Sequence, residues 1–444
     1  MQRKIVIVAV IAFSIVSGII LGVMQVTHNQ YSKSIGNKEI ENIDSTTENI
    51  TNSDAIVAPP IAPLKVEATE VIKTDTKIKA IYLTGWSAGS SSKRTDTINS
   101  LKENGFNGVV IDIKDEAGRL SYNSNVQTAI DMKASQGMIA DIKAMIQEFH
   151  DNNIYVIGRI VTFKDPLYAK NNPSIAYTYA DGTIWKDYAG NNWPNPYNYA
   201  SWDYPIALAK EAATIGFDEI QFDYIRFPSS EGKVKQISFR FDSDTKTKSD
   251  IIAEFLNKVM DELKEYNVLV SGDVFGITTK KAGDFENIGQ DFARIAQIVD
   301  VICPMVYPSH YANNEYNIAK PDKNPYAIII GSLRDAQKRI SEIDGAKENI
   351  AIIRPYLQDF TASWLGSGNY LKYNTNEVKD QIQACFDLRI DEFILWDPSN
   401  KYCYEALEQA VWISEEEYQA KLLEEQKKIE EQKKLEEQPK NEEM

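Results

Sequence analysis

Cysteine and histidine are scarce: three of each occur in 444 residues. Cys303, Cys385 and Cys403 show no C-x-x-C spacing, which excludes a disulfide framework and a zinc-ribbon arrangement. His28, His150 and His310 lie far apart and form no H-x-x-x-H pair, so no histidine-built metal centre is expected, and no cofactor. Basic charge is also short, with 48 Lys and Arg against 64 Asp and Glu and a formal net charge of −16. Nothing in that balance would neutralise a phosphate backbone, and nucleic acid is excluded as a partner. A glycine-rich phosphate turn is missing too, because Gly-Trp-Ser-Ala-Gly after the first apolar run is not the dinucleotide fingerprint.

What the chain does hold is apolar and aromatic weight, 43% and 10% of its residues, enough for a large core. Residues 5–26 form an uncharged, mostly apolar run long enough to cross a bilayer, preceded by Arg3 and Lys4. Residues 1–26 therefore read as a signal anchor, with the bulk of the chain extracytoplasmic, or secreted if the segment is cleaved. Residues 27–78 are rich in Asn, Ser, Thr and Glu, hold an Ala-Pro-Pro-Ile-Ala-Pro stretch, and read as a disordered tether. Residues 414–444 open on a Ser414/Glu417 capping box and continue as a charged helical tail. Its apolar positions are too few to specify a coiled coil by themselves.

Between these ends, residues 79–413 alternate two periodicities. Eight strand-like runs (80–85, 108–112, 154–161, 219–225, 268–275, 301–307, 350–356 and 392–396) are interleaved with amphipathic candidates at 95–104, 138–152, 205–215, 248–265, 285–298, 333–343 and 376–388. Eight such βα units close most naturally into an α/β fold of the (β/α)8 TIM-barrel kind, an open doubly wound sheet being the alternative.

In such a barrel the C-terminal strand ends face the working mouth. Ionisable and aromatic residues gather there: Asp112 and Lys114 on strand two, Arg159 on strand three, Asp223, Tyr224 and Arg226 on strand four. Asp273 follows on strand five, Tyr307 and His310 on strand six, Arg354 on strand seven and Trp396 on strand eight. The stretch after strand three, 163–203, is dense in Trp and Tyr, including Trp193, as a groove that stacks on sugar rings would require. Glycoside hydrolysis asks for two carboxyl groups, and Asp223 and Asp273 on neighbouring strands are the best pair, with Arg226 or Arg159 as support for Asp223. Asp112 competes for either role. Asp112, Asp115 and Glu116 could also hold a hard cation, a weaker reading of an acidic turn. The other mouth residues are expected to bind substrate.

The motifs VVIDIKDEAG (109–118), RIVTFKDP (159–166), GFDEIQFDYIRFP (216–228), GDVFG (272–276), ICPMVYPSHY (302–311) and IRPYLQDF (353–360) resemble a bacterial family of glycoside-hydrolase-like TIM barrels. That family has long been catalogued as a domain of unknown function and is distantly similar to the α-amylase clan. The resemblance implies a barrel acting on polysaccharide, with Asp223 and Asp273 in the catalytic positions. Two departures from the clan stand out: Asp273 where its acid is Glu, and Gln221 where it carries Arg. The expectation is an anchored glycosidase with a retaining, two-carboxylate mechanism; the alternative is a surface protein that binds carbohydrate without cleaving it.

Overall fold

The computed structural model describes residues 76–229, 233–238, 245–280, 287–343 and 350–436. The expected anchor and all but the last three residues of the expected tether lie outside these. No helix among the described residues is long and apolar enough to cross a membrane.

Nine strands form one parallel sheet: β1 (Lys79–Leu83), β2 (Gly108–Lys114), β3 (Tyr155–Val161), β4 (Glu219–Asp223), β5 (Leu269–Phe275), β6 (Val301–Met305), β7 (Ile352–Ile353), β8 (Tyr356–Gln358) and β9 (Phe393–Trp396). Their order is β5-β4-β3-β2-β1-β9-β8-β6-β7, and pairing of β5 with β6 closes the ring. Both β7 and β8 pair with β6, so together they make one interrupted barrel position, and the barrel has eight. The interruption falls at Arg354–Pro355, where the proline has no amide to give to a ladder. A continuous strand was expected over 350–356.

Helices cover the outside: α1 (Ser91–Glu103), α2 (Ile142–His150), α3 (Asp203–Ile215), α4 (Lys248–Leu263), α5 (Phe292–Ala296), α6 (Pro325–Ser341) and α7 (Thr375–Asp387). Their starts follow from local chemistry. Thr247 with Asp250 and Asn374 with Glu377 form capping boxes at α4 and α7, and the Asp141 carboxylate accepts from the Ala144 amide at α2. Helix α5 is shorter than the 285–298 pattern suggests. A further helix, α8 (Glu415–Glu436), begins at the expected Ser414/Glu417 box and is tied to the end of α7 by Lys421–Asp387 at 3.0 Å.

Strands buried on both faces explain the near-continuous apolar runs. Ile111, Ile113, Val156, Ile160, Ile220 and Phe222 pack outward against the helices, while Ala80, Tyr82, Val110, Ile157, Val301, Cys303 and Ile394 fill the barrel interior. Each fully buried aliphatic or phenyl side chain contributes about 1.5–3 kcal/mol, so this double layer is the main source of stability.

At the foot of the barrel the interior is ionic. Arg354 donates from Nη1 to both oxygens of Glu219 (2.9 and 2.8 Å) and from Nε to Glu392 (2.8 Å), all buried. Placing Arg354 at the mouth is thereby corrected. Its strand starts late: Ile352 pairs with Val301, the first residue of β6, which leaves Arg354 near the strand beginnings.

Candidate active site

Alternation along β2, β3, β4 and β5 turns Asp112, Arg159, Asp223 and Asp273 to the barrel axis at the C-terminal end. Arg159 is the hub. Its Nη1 donates to Asp112 Oδ1 at 2.6 Å, its Nη2 to Glu116 Oε1 at 2.7 Å and to Asp223 Oδ2 at 2.6 Å, and its Nε to Asp223 Oδ2 at 3.1 Å. The second oxygen of Asp223 accepts from the Tyr224 amide at 2.5 Å. That bond needs the chain to turn sharply, and Tyr224 sits at φ +52°, a left-handed conformation that costs energy for a bulky residue and recurs where a site demands it.

Asp273 stands beside Asp223. The register Phe222↔Gly272 brings the two residues to one level on adjacent strands, about 4.8 Å apart in backbone. Asp273 is fully buried, and among the described residues neither oxygen has a nitrogen or hydroxyl donor. Its register neighbour Cys303 offers only a weak thiol donor. Burial first, and then the Asp223 charge, push its pKa well above the ordinary carboxylate range, with Arg159 opposing. The two carboxyl groups thus occupy opposite environments: one is gripped by a guanidinium and an amide, the other has only the weak Cys303 thiol beside it.

Asp112 is held differently. Burial raises its pKa to about 6 against the pull of Arg159, and the Tyr82 hydroxyl donates to its Oδ2 at 2.5 Å. Glu116 is partly exposed at the rim. Burial would raise it, yet Arg159 and Lys164 bring it to about 2. The loop carrying Glu116 is shaped by Gly118, at φ +78°, where an added Cβ would lie 2.2 Å from Asp165 Oδ1.

Three expectations change here. Arg226 has no bonded carboxylate among the described residues. It lies over the faces of Trp193 (5.2 Å), Tyr224 (4.9 Å) and Phe275 (4.6 Å) and donates to the Phe227 carbonyl. The ion pair with Asp223 belongs to Arg159 instead. Lys114 does not face the mouth: the ladder slips between Asp112 and Lys114, and this bulge turns Lys114 outward under α3. There it pairs with Asp165 at 2.5 Å and lies over the Tyr204 ring, fully buried.

The aromatics of 163–203 mostly pack inward as well. Trp185, Trp193 and Trp202 are buried, with indole N–H groups donating to the Lys233 carbonyl, the Asp187 carboxylate and the Pro196 carbonyl. Trp193 serves as a shelf for Arg226. Their interleaved Asn and Gly residues make the tight turns that let the segment fold onto itself, the ordinary way a long loop stays ordered.

The aromatic surface of the mouth lies on the other side of the barrel. Trp396 at the end of β9 is flanked by Tyr307 (5.6 Å), Tyr82 (6.1 Å) and Phe360 (5.3 Å), and His310 meets the edge of Tyr307 at the exposed rim. Tyr82 and Phe360 complete the site beyond the residues singled out from the sequence, while Glu116 and Lys164 join it from the ends of strands two and three. Tyr82 was legible as the inward residue two after Ala80; Phe360 lies past the strand, where no periodicity applies.

A closed eightfold parallel barrel with paired carboxyl groups and an aromatic wall at its C-terminal end defines a glycoside-hydrolase-type TIM barrel. The chain belongs to the family described as "putative glycosyl hydrolase domain", which matches residues 80–402. Among solved structures it is similar to a hypothetical protein from Ruminiclostridium thermocellum, at 40% identity over 44% of this chain and 97% of that one, with a TM-score of 0.41. It is also similar to the PgaB (BpsB) glycoside hydrolase domain from Bordetella bronchiseptica, at 10% identity over 76% and 100% of the two chains, with a TM-score of 0.53; this likeness shows the fold alone. No curated protein matches the chain.

Proposed function

We propose that the chain is an extracytoplasmic glycosidase, held at the membrane by residues 1–26, that cleaves a cell-surface or extracellular polysaccharide by a retaining, two-carboxylate mechanism. The observation that carries it is the asymmetry between Asp223 and Asp273. Asp223, ion-paired to Arg159 and bonded to the Tyr224 amide, is suited to attack the anomeric carbon as a carboxylate. Asp273, at the same level with its proton favoured by burial, is suited to give that proton to the departing glycosidic oxygen. In the second half-reaction Asp273 takes a proton from water, which displaces Asp223 from the sugar. The placement of the two residues at one level on adjacent strands, whose backbones lie about 4.8 Å apart, supports the short carboxyl separation of roughly 5 Å that this route needs.

Complete burial of Asp273 is the one observation that favours the competing reading, a barrel that binds sugar without turnover. Reducing-sugar release from a panel of bacterial glycans decides between them. Wild type is expected to release product, while Asp223→Asn and Asp273→Asn each lose about 100-fold or more. Hydrolysis that persists in Asp223→Asn would remove it as the nucleophile, and binding without release on every glycan would establish the competing reading.

A further inference from the structure

The mouth is divided. Charged groups come from β2 to β5, and the opposite arc, β8, β9 and β1, is bounded by tryptophans. Trp396 ends β9, Trp86 follows β1 and is 64% exposed, and Trp364 follows β8 and is 41% exposed. Trp364 stacks on Phe360, with ring centroids 5.7 Å apart and planes at 20°, and Phe360 in turn meets Trp396 and Tyr307. Ring contacts therefore run without a break from the surface to Tyr82, whose hydroxyl reaches Asp112.

The Trp364 loop is braced rather than loose. Gln358 donates to one oxygen of the buried Asp322, the Leu371 amide donates to the other at 3.1 Å, and Lys320 donates to Asn369 at 2.6 Å. A large apolar face held rigidly at a polar rim has no packing role on its solvent side. What fits it is a flat, uncharged ring face.

Charge narrows the ring further. Arg159 is bonded to three carboxylates, Lys164 lies against the Tyr224 hydroxyl and ring, and Arg226 is enclosed by aromatic faces. The cations nearest the carboxyl cluster are thus already engaged, while Asp112, Glu116 and Asp223 would repel a uronate or a phosphate.

We infer that Trp364, stacked on Phe360, is a remote subsite that binds a sugar ring beyond the bond being cut, and that the substrate is an uncharged glycan chain. The inference rests on the proposed glycoside hydrolase reading for the position of the cut, and on the ring contacts for the rest.

The test uses the full-length chain carrying Asp223→Asn, so that binding is read without turnover. Affinity is measured for chito-, cello- and malto-oligosaccharides from disaccharide to heptasaccharide, and for an oligogalacturonate ladder. At least one neutral ladder is expected to gain affinity with length. Adding Trp364→Ala is expected to remove about tenfold of that gain, and Trp364→Phe to restore part of it. The proposal is overturned if no neutral ladder gains affinity with length, if the gain survives Trp364→Ala, or if the anionic ladder gains most. A fall in solution mass from dimer to monomer on Trp364→Ala would also overturn it, by assigning the face to a second copy. Because the silenced chain is used throughout, failure to find hydrolysis leaves this measurement intact.

Discussion

Replacing Arg159 with methionine keeps most of the side-chain volume and removes the charge that is bonded to Asp112, Glu116 and Asp223. The side chain is 8% exposed, so solvent cannot take its place. Deleting one member of a buried ion pair typically costs about 3–5 kcal/mol, because the other is left charged and dry. Against a total stability of about 5–15 kcal/mol, that is a large fraction. Protons relieve the cost. Without the guanidinium, the folded-state pKa of Glu116 rises from about 2 toward its unfolded value, and that of Asp112 rises from about 6, further above its own. Between pH 5 and pH 8 the folded variant then binds more protons than its unfolded chain, and its stability falls as pH rises. Urea unfolding of both proteins should show a deficit of about 3–5 kcal/mol at pH 8 that shrinks clearly at pH 5. A deficit below about 1 kcal/mol at pH 8, or one equal at the two pH values, would refute Arg159 as the hub.

Other consequences follow from the same groups. Burial raises Asp112 to about 6 and both Asp115 and Asp359 to about 7, so each stabilises the fold at low pH and loses that contribution as pH rises through its folded value; Glu116, at about 2, acts in the opposite sense as pH drops below the usual glutamate range. The melting temperature of the wild type should therefore rise from pH 8 toward pH 5 and fall again below pH 4, as differential scanning calorimetry would record. Lys114→Met leaves the buried Asp165 unpaired and should lower stability by about 3–5 kcal/mol in chemical denaturation, with oligosaccharide affinity kept; a large loss of affinity in a well-folded variant would return Lys114 to the mouth. Arg354→Met leaves Glu219 without its cation and Glu392 with only Lys77 at 3.9 Å, and should likewise unfold at lower urea, independent of any ligand.

Much of the barrel could be read from period alone. Eight near-continuous apolar runs with helical spacers admit few arrangements other than a closed parallel sheet, and the inward parity that joins Gln221 to Asp223 also joins Ser271 to Asp273. Period gives the face but not the depth. Arg354 shares the inward face of its strand, yet the late start of β7 puts it at the foot of the barrel. Lys114 follows Asp112 by two residues, yet one bulge sends it to the opposite face.

By itself, then, the sequence determined the fold class, the family motifs and the strand that carries each carboxyl group, because these depend on local periodicity and residue type. Tertiary structure alone decided which arginine meets Asp223, since Arg159 and Arg226 are equally near in the strand-end inventory and only the register across β2, β3 and β4 brings Arg159 between three carboxylates. It also decided where the aromatic wall stands. The tryptophans of 163–203 are taken up by their own loop, whereas Tyr82, Tyr307, Phe360, Trp364 and Trp396 come from strands, and the loops that follow them, in separate parts of the chain and meet only when β9 closes the ring between β1 and β8. Contacts of that span have no signature in a linear pattern, because they are set by closure of the sheet and not by any segment's own preference.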